Sequence, residues 1–175
     1  MSNILIIYST TDGHTLKICQ RLKQVIEQQT HQVKLVSVDD APDADPRLFD
    51  KIVIGASIRY GKHRPQVYDF IKRNAKVLES KPSAFFSVNV VARKPAKNRP
   101  ETNPYMRQFR RKAAWQPREW AVFAGKIDYQ KYRFWDRHLI RLIMWMTQGP
   151  THPEAVAEFT DWQEVEAFAQ RVCVM

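Results

Sequence analysis

Apolar positions along the chain fall in short runs, separated by stretches where they recur every three or four residues. This is the pattern of strands alternating with helices. Asn3–Tyr8 is apolar and β-rich, and Leu16, Cys19, Leu22 and Ile26 recur at helical spacing through Thr15–Gln29. Val33–Val38 reads as a second strand, followed by an acidic, proline-containing loop over Asp39–Pro46. Lys51–Ala56 is a near-continuous apolar run, as a central parallel strand should be. Pro65 suits the first turn of a helix reaching about Glu79, with Val67, Phe70, Ile71 and Leu78 inward. Ser83–Val91 is the fourth strand and Trp120–Ala124 the fifth. Between them lie a polar stretch, Arg93–Pro104, and a short basic helix through about Trp115. Trp135–Met146 and Thr160–Val172 read as helices, the last opened by a capping box of Thr160 with Gln163.

Such βαβ units with right-handed crossovers predict an α/β, doubly wound parallel sheet. Five strands imply the flavodoxin-like order 2-1-3-4-5, with a ligand at the carboxyl ends of strands 1 and 3. The 175 residues form one domain, with a long basic insertion after strand 4 over about residues 93–118. Since the five strands lie outside the insertion, deleting Lys97–Arg107 is expected to leave a folded protein.

Charge sharpens the picture. The net charge is +10, and residues 93–141 alone hold 14 Lys/Arg against 4 Asp/Glu, so all of the excess lies in one segment. A localised basic surface implies an anionic partner. Residues 1–8 lack the basic start and long apolar core of a secretory signal. No apolar run approaches the ~18–20 residues needed to span a bilayer. Cys19 and Cys173 have no metal-ligand or CxxC spacing, so two buried or half-buried thiols and no metal are expected.

Strand 1 empties into Ser9, Thr10, Thr11, Asp12, Gly13, His14 and Thr15, a hydroxyl-rich loop with one glycine and no cation. A loop there leads into a helix N-terminus, whose unpaired N–H groups hold phosphate without a cationic side chain. A plain N-cap at Thr11 or Asp12 is the alternative. Neither GxxxxGK[ST] nor GxGxxG occurs, which argues against nucleoside triphosphates and dinucleotides. Two more loops share this edge: Ser57, Ile58, Arg59, Tyr60 and Gly61 after strand 3, and Ser87, Val88, Asn89 and Val90 at the end of strand 4. Gly125 follows strand 5 at the same edge. Tyr60 is either a stacking ring or an exposed turn tyrosine, and His63 is expected to be solvated.

Ile6, Ile7, Tyr8, Thr10, Gly13, Thr15 and Leu22 match the flavodoxin signature, with Cys19 in place of its alanine. The blocks IGASIRYG, SAFFSVNVVARKP, TNPYMRQF, FAGKIDYQKYRFWDRHLIRLIM and FTDW extend the likeness over Ile4 to about Ala169. Together they resemble the menaquinone-dependent protoporphyrinogen IX dehydrogenases. The resemblance implies FMN with its 5′-phosphate in the first loop, protoporphyrinogen IX as substrate, and menaquinone or ubiquinone as electron acceptor. It also implies a peripheral place on the cytoplasmic face of the bacterial inner membrane.

A porphyrinogen carries two propionates on an apolar ring, so its site needs cations beside aromatic surface. Arg93, Lys94, Lys97, Arg107 and Arg111 are the candidate substrate cations, with Tyr105, Phe109 and Trp115 interleaved. Arg133, Arg137 and Arg141 form a stripe beside Trp135, Leu139, Leu142, Ile143 and Met146, bordered by Trp145. That face either lies on an anionic membrane surface or packs on the sheet. An NAD(P)H-dependent quinone reductase is the rival function. No RNP, KH or helix-turn-helix pattern supports nucleic acid as the anionic partner.

Overall fold

The computed structural model describes residues 1–41, 44–128, 138, 140–142, 144–145 and 156–175. Five parallel strands form the sheet: β1 (Asn3–Ser9), β2 (Gln32–Ser37), β3 (Lys51–Ser57), β4 (Ser83–Asn89) and β5 (Glu119–Ala124). Their order is β2-β1-β3-β4-β5, as expected from the sequence. Two short strands, β6 (Lys126–Asp128) and β7 (Val156–Glu158), make a separate antiparallel pair. Each has three residues, too few for a side-chain period to mark it.

Period-two alternation divides the core between the two faces of the sheet. Ile4 and Ile6 of β1 face α1 (His14–Gln28), packing with its Ile18, Leu22 and Ile26. Leu5 and Ile7 face the other way, towards Val67, Phe70 and Ile71 of α2 (Pro65–Arg73). In β4, Phe85 and Phe86 split between the same two faces. Phe86 reaches β3, where Gly55 is its register partner.

The expected helix from Pro65 to Glu79 breaks at Asn74 into α2 and α3 (Ala75–Ser80). The Asn74 amide donates to Phe70 O at 2.9 Å, and this local bond competes with helix continuation. The last helix, α5 (Trp162–Val174), is capped by Asp161 rather than Thr160. The Asp161 carboxylate accepts from the amides of Gln163 and Glu164, leaving Thr160 for a tertiary bond described below. At the other end of α5, the buried Lys51 ammonium donates to Val172 O and Cys173 O, placing a cation on the negative helix terminus. Cys19 is buried and Cys173 half-buried, both as free thiols.

The basic insertion is not a detachable attachment. Helix α4 (Pro104–Lys112) buries Met106 and Phe109 completely, and Phe109 stacks on Phe85 with ring centroids 3.8 Å apart. Trp115 is buried too, its indole N–H donating to the Ser83 hydroxyl. Deleting Lys97–Arg107 would remove Met106 and the α4 cap, Asn103, so the expectation of an intact fold is withdrawn. Phe109 and Trp115 belong to the core, not to a substrate surface.

Candidate functional site

The carboxyl edge of the sheet carries a cavity of about 300 Å³. Backbone bonds tie its loops together: Ile58 N–H donates to Val88 O, Gly125 N–H to Asn89 O, and Phe159 N–H to Gly125 O. Asp12 in the first loop pairs with Arg59 in the loop after β3 at 3.4 Å. Wall residues come from every loop singled out in the sequence: Thr10, Thr11, Asp12, His14 and Thr15; Ser57 to Gly61; Val88 to Val90; and Gly125. Arg93, Lys94 and Lys97 also line it, with Val91 between the strand-4 loop and Arg93 and with Tyr105, the aromatic expected beside these cations; the sequence did not mark Lys126, Ile127, Ile140 and Met144, which line it too. Spacing of four residues puts Ile140 and Met144 on one helix face, a signal present in the sequence but assigned elsewhere.

The first loop offers hydrogen-bond donors to an anion. Helix α1 starts after Gly13 (φ 85°), and no side chain caps it, whereas Asn103 and Asp161 cap α4 and α5. The plain N-cap alternative for Thr11 or Asp12 is thereby excluded. Ser9 and Thr15 are 1 % exposed, and neither hydroxyl has a hydrogen-bond partner among the described residues. Ser9 has the strand parity of Leu5 and Ile7 and is not on the cavity wall. The orphan Thr15 hydroxyl, in the first turn of the uncapped α1 and on that wall, is an unsatisfied arrangement in the protein alone. A bound phosphate fits it, because its oxygens accept from hydroxyl and N–H donors alike.

His14 closes this end of the cavity. Thr160 Oγ1 donates to Ala124 O at 2.7 Å, so towards His14 Nε2, 2.6 Å away, it acts as acceptor and Nε2 carries the proton. Burial lowers the His14 pKa from its ordinary value; Glu158 opposes that shift, and Lys17 and Lys126 add to it. The imidazole is therefore neutral at pH 7 and adds no charge beside the phosphate loop.

Tyr60 is 65 % exposed on a tight reversal in which Arg59 and Lys62 exchange backbone hydrogen bonds. Its φ of 50° and that of 76° at Gly61 are the two positive values of a type I′ hairpin turn. A tyrosine held left-handed is strained, and such strain gathers at ligand clamps. Arg59 lies over the ring, 5.1 Å from its centroid.

Three sequence assignments change. His63 is 4 % exposed instead of solvated, ringed by Phe85 and Phe109, with Nε2 2.9 Å from the Ser87 hydroxyl. Ser87 accordingly bonds beneath the sheet edge and is not on the cavity wall. Arg107 and Arg111 are exposed and also off the wall, because burial of Met106 and Phe109 turns their side of α4 to solvent. Of the arginine stripe only Arg141, half-buried, lies in the described residues; Arg133 and Arg137 are outside them, as are Trp135, Leu139, Ile143 and Met146. Leu142 and Trp145 are 52 % and 72 % exposed, so these two are not packed on the sheet.

Burial pushes the His63 pKa down to about 3. Between the unfolded value of about 6.5 and that folded value, the unfolded chain binds the extra proton. Stability from this site is thus present above about pH 6.5 and falls with decreasing pH, by at most about 1.4 kcal/mol per pH unit. His63→Gln is expected to flatten the decline of Tm between about pH 6.5 and pH 4. An unchanged slope would show that the histidine does not sit buried and neutral.

A family model described as Flavodoxin domain matches residues 5–154. The protoporphyrinogen IX dehydrogenase (quinone) of Escherichia coli strain K12 is 41 % identical over 168 residues, covering 96 % of this chain and 93 % of that protein. That of Leishmania major is 39 % identical over 166 residues, covering 94 % of this chain and 72 % of its own. In structure, the flavodoxin of Megasphaera elsdenii superimposes with a TM-score of 0.54 at 13 % identity, over 96 % of this chain and 98 % of that one. A flavodoxin domain implies a flavin, in keeping with an anion cradle at the helix N-terminus. With this domain matched over residues 5–154 and this identity along nearly the whole chain, the protein belongs to the flavodoxin-domain family and, within it, to the protoporphyrinogen IX dehydrogenases (quinone).

Proposed function

We propose that this chain oxidises protoporphyrinogen IX to protoporphyrin IX with FMN as cofactor and passes the electrons to a respiratory quinone, in haem biosynthesis. The observation that carries this reading is one cavity with two chemistries. Its wall carries the phosphate loop with the orphan Thr15 hydroxyl, and also Arg93, Lys94 and Lys97 together with the apolar Val91, Ile127, Ile140 and Met144. The names of the relatives support the same substrate and acceptor.

Thr10, Thr11, Thr15 and the first amides of α1 would hold the phosphate. The loops 57–61 and 88–90 would hold the ring. Bound there, FMN supplies a two-electron acceptor, so a six-electron oxidation takes three rounds. The cations at the rim bind propionates by charge-assisted hydrogen bonds. Ile127, Ile140 and Met144 receive the apolar ring edge and exclude water from it. In the test, anaerobic protoporphyrinogen IX is added to the flavin-loaded protein. Bleaching of the flavin absorbance, reversed by quinone, is the expected result. Bleaching by NADPH but not by porphyrinogen would overturn the reading in favour of a nicotinamide-dependent quinone reductase.

Peripheral attachment to the cytoplasmic face of the inner membrane belongs to the same proposal. Leu142 and Trp145 are exposed beside Arg141, on the segment whose Ile140 and Met144 line the cavity. Each cation near an anionic surface contributes about 1 kcal/mol. Raising salt from about 0.1 M to about 1 M shortens the screening length from ~10 Å to ~3 Å. The protein is expected to sediment with anionic vesicles at low salt, far less at high salt, and hardly with neutral ones. Equal binding to both vesicle types would defeat the charge argument.

A further inference from the structure

Two buried asparagines lie between the cavity and the basic insertion. Asn103 is 0 % exposed and Asn89 is 4 % exposed. Asn89 ends β4 and stands on the cavity wall; Asn103 is the cap of α4 and does not line the cavity. Their side-chain amides face each other and exchange hydrogen bonds: Asn103 Nδ2 donates to Asn89 Oδ1 at 3.1 Å, and Asn89 Nδ2 donates to Asn103 Oδ1 at 3.4 Å.

Neither amide is able to turn over. Ala92 N–H donates to Asn89 Oδ1, which fixes that oxygen. Tyr105 N–H and Met106 N–H donate to Asn103 Oδ1, which fixes the other. Flipping either group would set N–H against N–H in a buried place, where an unpaired donor costs about 1–3 kcal/mol. The second hydrogen of Asn103 Nδ2 goes to Lys97 O at 2.9 Å. Lys97 ends the 3-10 turn Pro95–Lys97, and its own N–H donates to Lys94 O at 2.8 Å.

We infer that Asn103 is a positioning residue for substrate recognition: paired with Asn89, it latches the Lys94–Lys97 turn to the flavin edge and sets both ammonium groups where a dicarboxylate substrate meets them. Lys94 and Lys97 line the cavity, and no carboxylate among the described residues pairs with either. A lysine is flexible and strongly hydrated, so where its backbone is held decides where its charge is offered. Loss of the latch would leave the cations present but unplaced. Placement to within a fraction of an ångström governs how well a substrate is oriented. This inference rests on the proposed porphyrinogen reaction for its substrate, but not for the latch itself.

Asn103→Ser separates the two roles of the residue. Serine caps a helix about as well as asparagine and lacks both amide donors. The variant is expected to fold and to retain flavin. Amide hydrogen exchange over residues 94–99 should become at least tenfold faster while β4 keeps its protection. The kcat/KM preference for the porphyrinogen diacid over its dimethyl ester should fall at least fivefold, as a rise in KM for the diacid alone. Unchanged exchange over residues 94–99 overturns the latch. Faster exchange with an unchanged diacid preference overturns the positioning role. Should the serine variant not fold, Lys97→Gln, an exposed change that leaves the asparagine pair intact, decides the matter. It must itself lower the diacid preference, and if it does not, the inference fails. If the unaltered protein oxidises no porphyrinogen, the proposed reaction is wrong, and the exchange measurement still tells whether the latch exists.

Discussion

Thr15→Val is expected to weaken flavin binding by at least about tenfold while leaving the flavin-free protein as stable as before, or more so. The two effects have one cause. Thr15 is 1 % exposed, and its hydroxyl has no hydrogen-bond partner among the described residues. In the protein alone that group has lost water without regaining a partner, an arrangement that costs about 1–3 kcal/mol. Valine keeps the branched shape and removes the orphan, so the apo protein gains or is unchanged. With a phosphate present, the hydroxyl makes a hydrogen bond to a charged acceptor, contributing about 1.5–3 kcal/mol. Its loss corresponds to a tenfold to hundredfold rise in Kd, since about 1.4 kcal/mol is one decade. Flavin fluorescence titration gives Kd, and thermal unfolding of the flavin-free protein gives the other half. A Kd unchanged within twofold would show that no anion meets this hydroxyl. At Gly13 the loss takes another route. A side chain there meets nothing within 4 Å, but φ is 85°, so Gly13→Val acts through left-handed strain of roughly 1–2 kcal/mol and not through a clash.

Gly55→Ala is expected to lower stability by about 1–3 kcal/mol, the range for overpacking a close-packed core. For a domain of this size that corresponds to a fall in Tm of roughly 2–12 °C. A β-carbon at residue 55 would lie 2.1 Å from Cζ of Phe86 and 2.5 Å from Cε1, well inside van der Waals contact. The ring is not free to retreat. Phe86 is fully buried and packs against Phe123 and Phe168, with centroids 5.4 Å and 5.8 Å away. Residues in contact couple, so shortening Phe86 to leucine should absorb part of the damage. The double variant Gly55→Ala/Phe86→Leu should lose clearly less than the sum of the single losses. Strict additivity would mean that the glycine is needed for some reason other than this ring.

The sheet was legible in the sequence because its strands are defined by local alternation. Ile4 and Ile6 on one face with Leu5 and Ile7 on the other need no knowledge of distant neighbours. The crossover rule then puts the loops after β1, β3 and β4 at one edge, so the loops that line the cavity were readable as well. Local pattern failed where burial depends on what closes over a residue. His63 looks like a solvated turn histidine until Phe85 from β4 and Phe109 from α4 cover it. Phe109 and Trp115 look like a basic-aromatic surface until α4 docks them on the sheet.

Capping shows the same division at the scale of one residue. Thr160 with Gln163 and Asp161 with Glu164 are both capping patterns. Tertiary structure chose Asp161, because the Thr160 hydroxyl is taken by Ala124 O and His14. Hydrophobic period and turn chemistry, which act between near neighbours, determined the strands, their order and the edge that carries the cavity. Which polar groups are left unpaired, which are paired, and which cations stand on the cavity wall depends on long-range hydrogen bonds. The Thr15 hydroxyl on the cavity wall has no partner among the described residues, while Asn89 and Asn103 find each other only when the insertion folds back on β4.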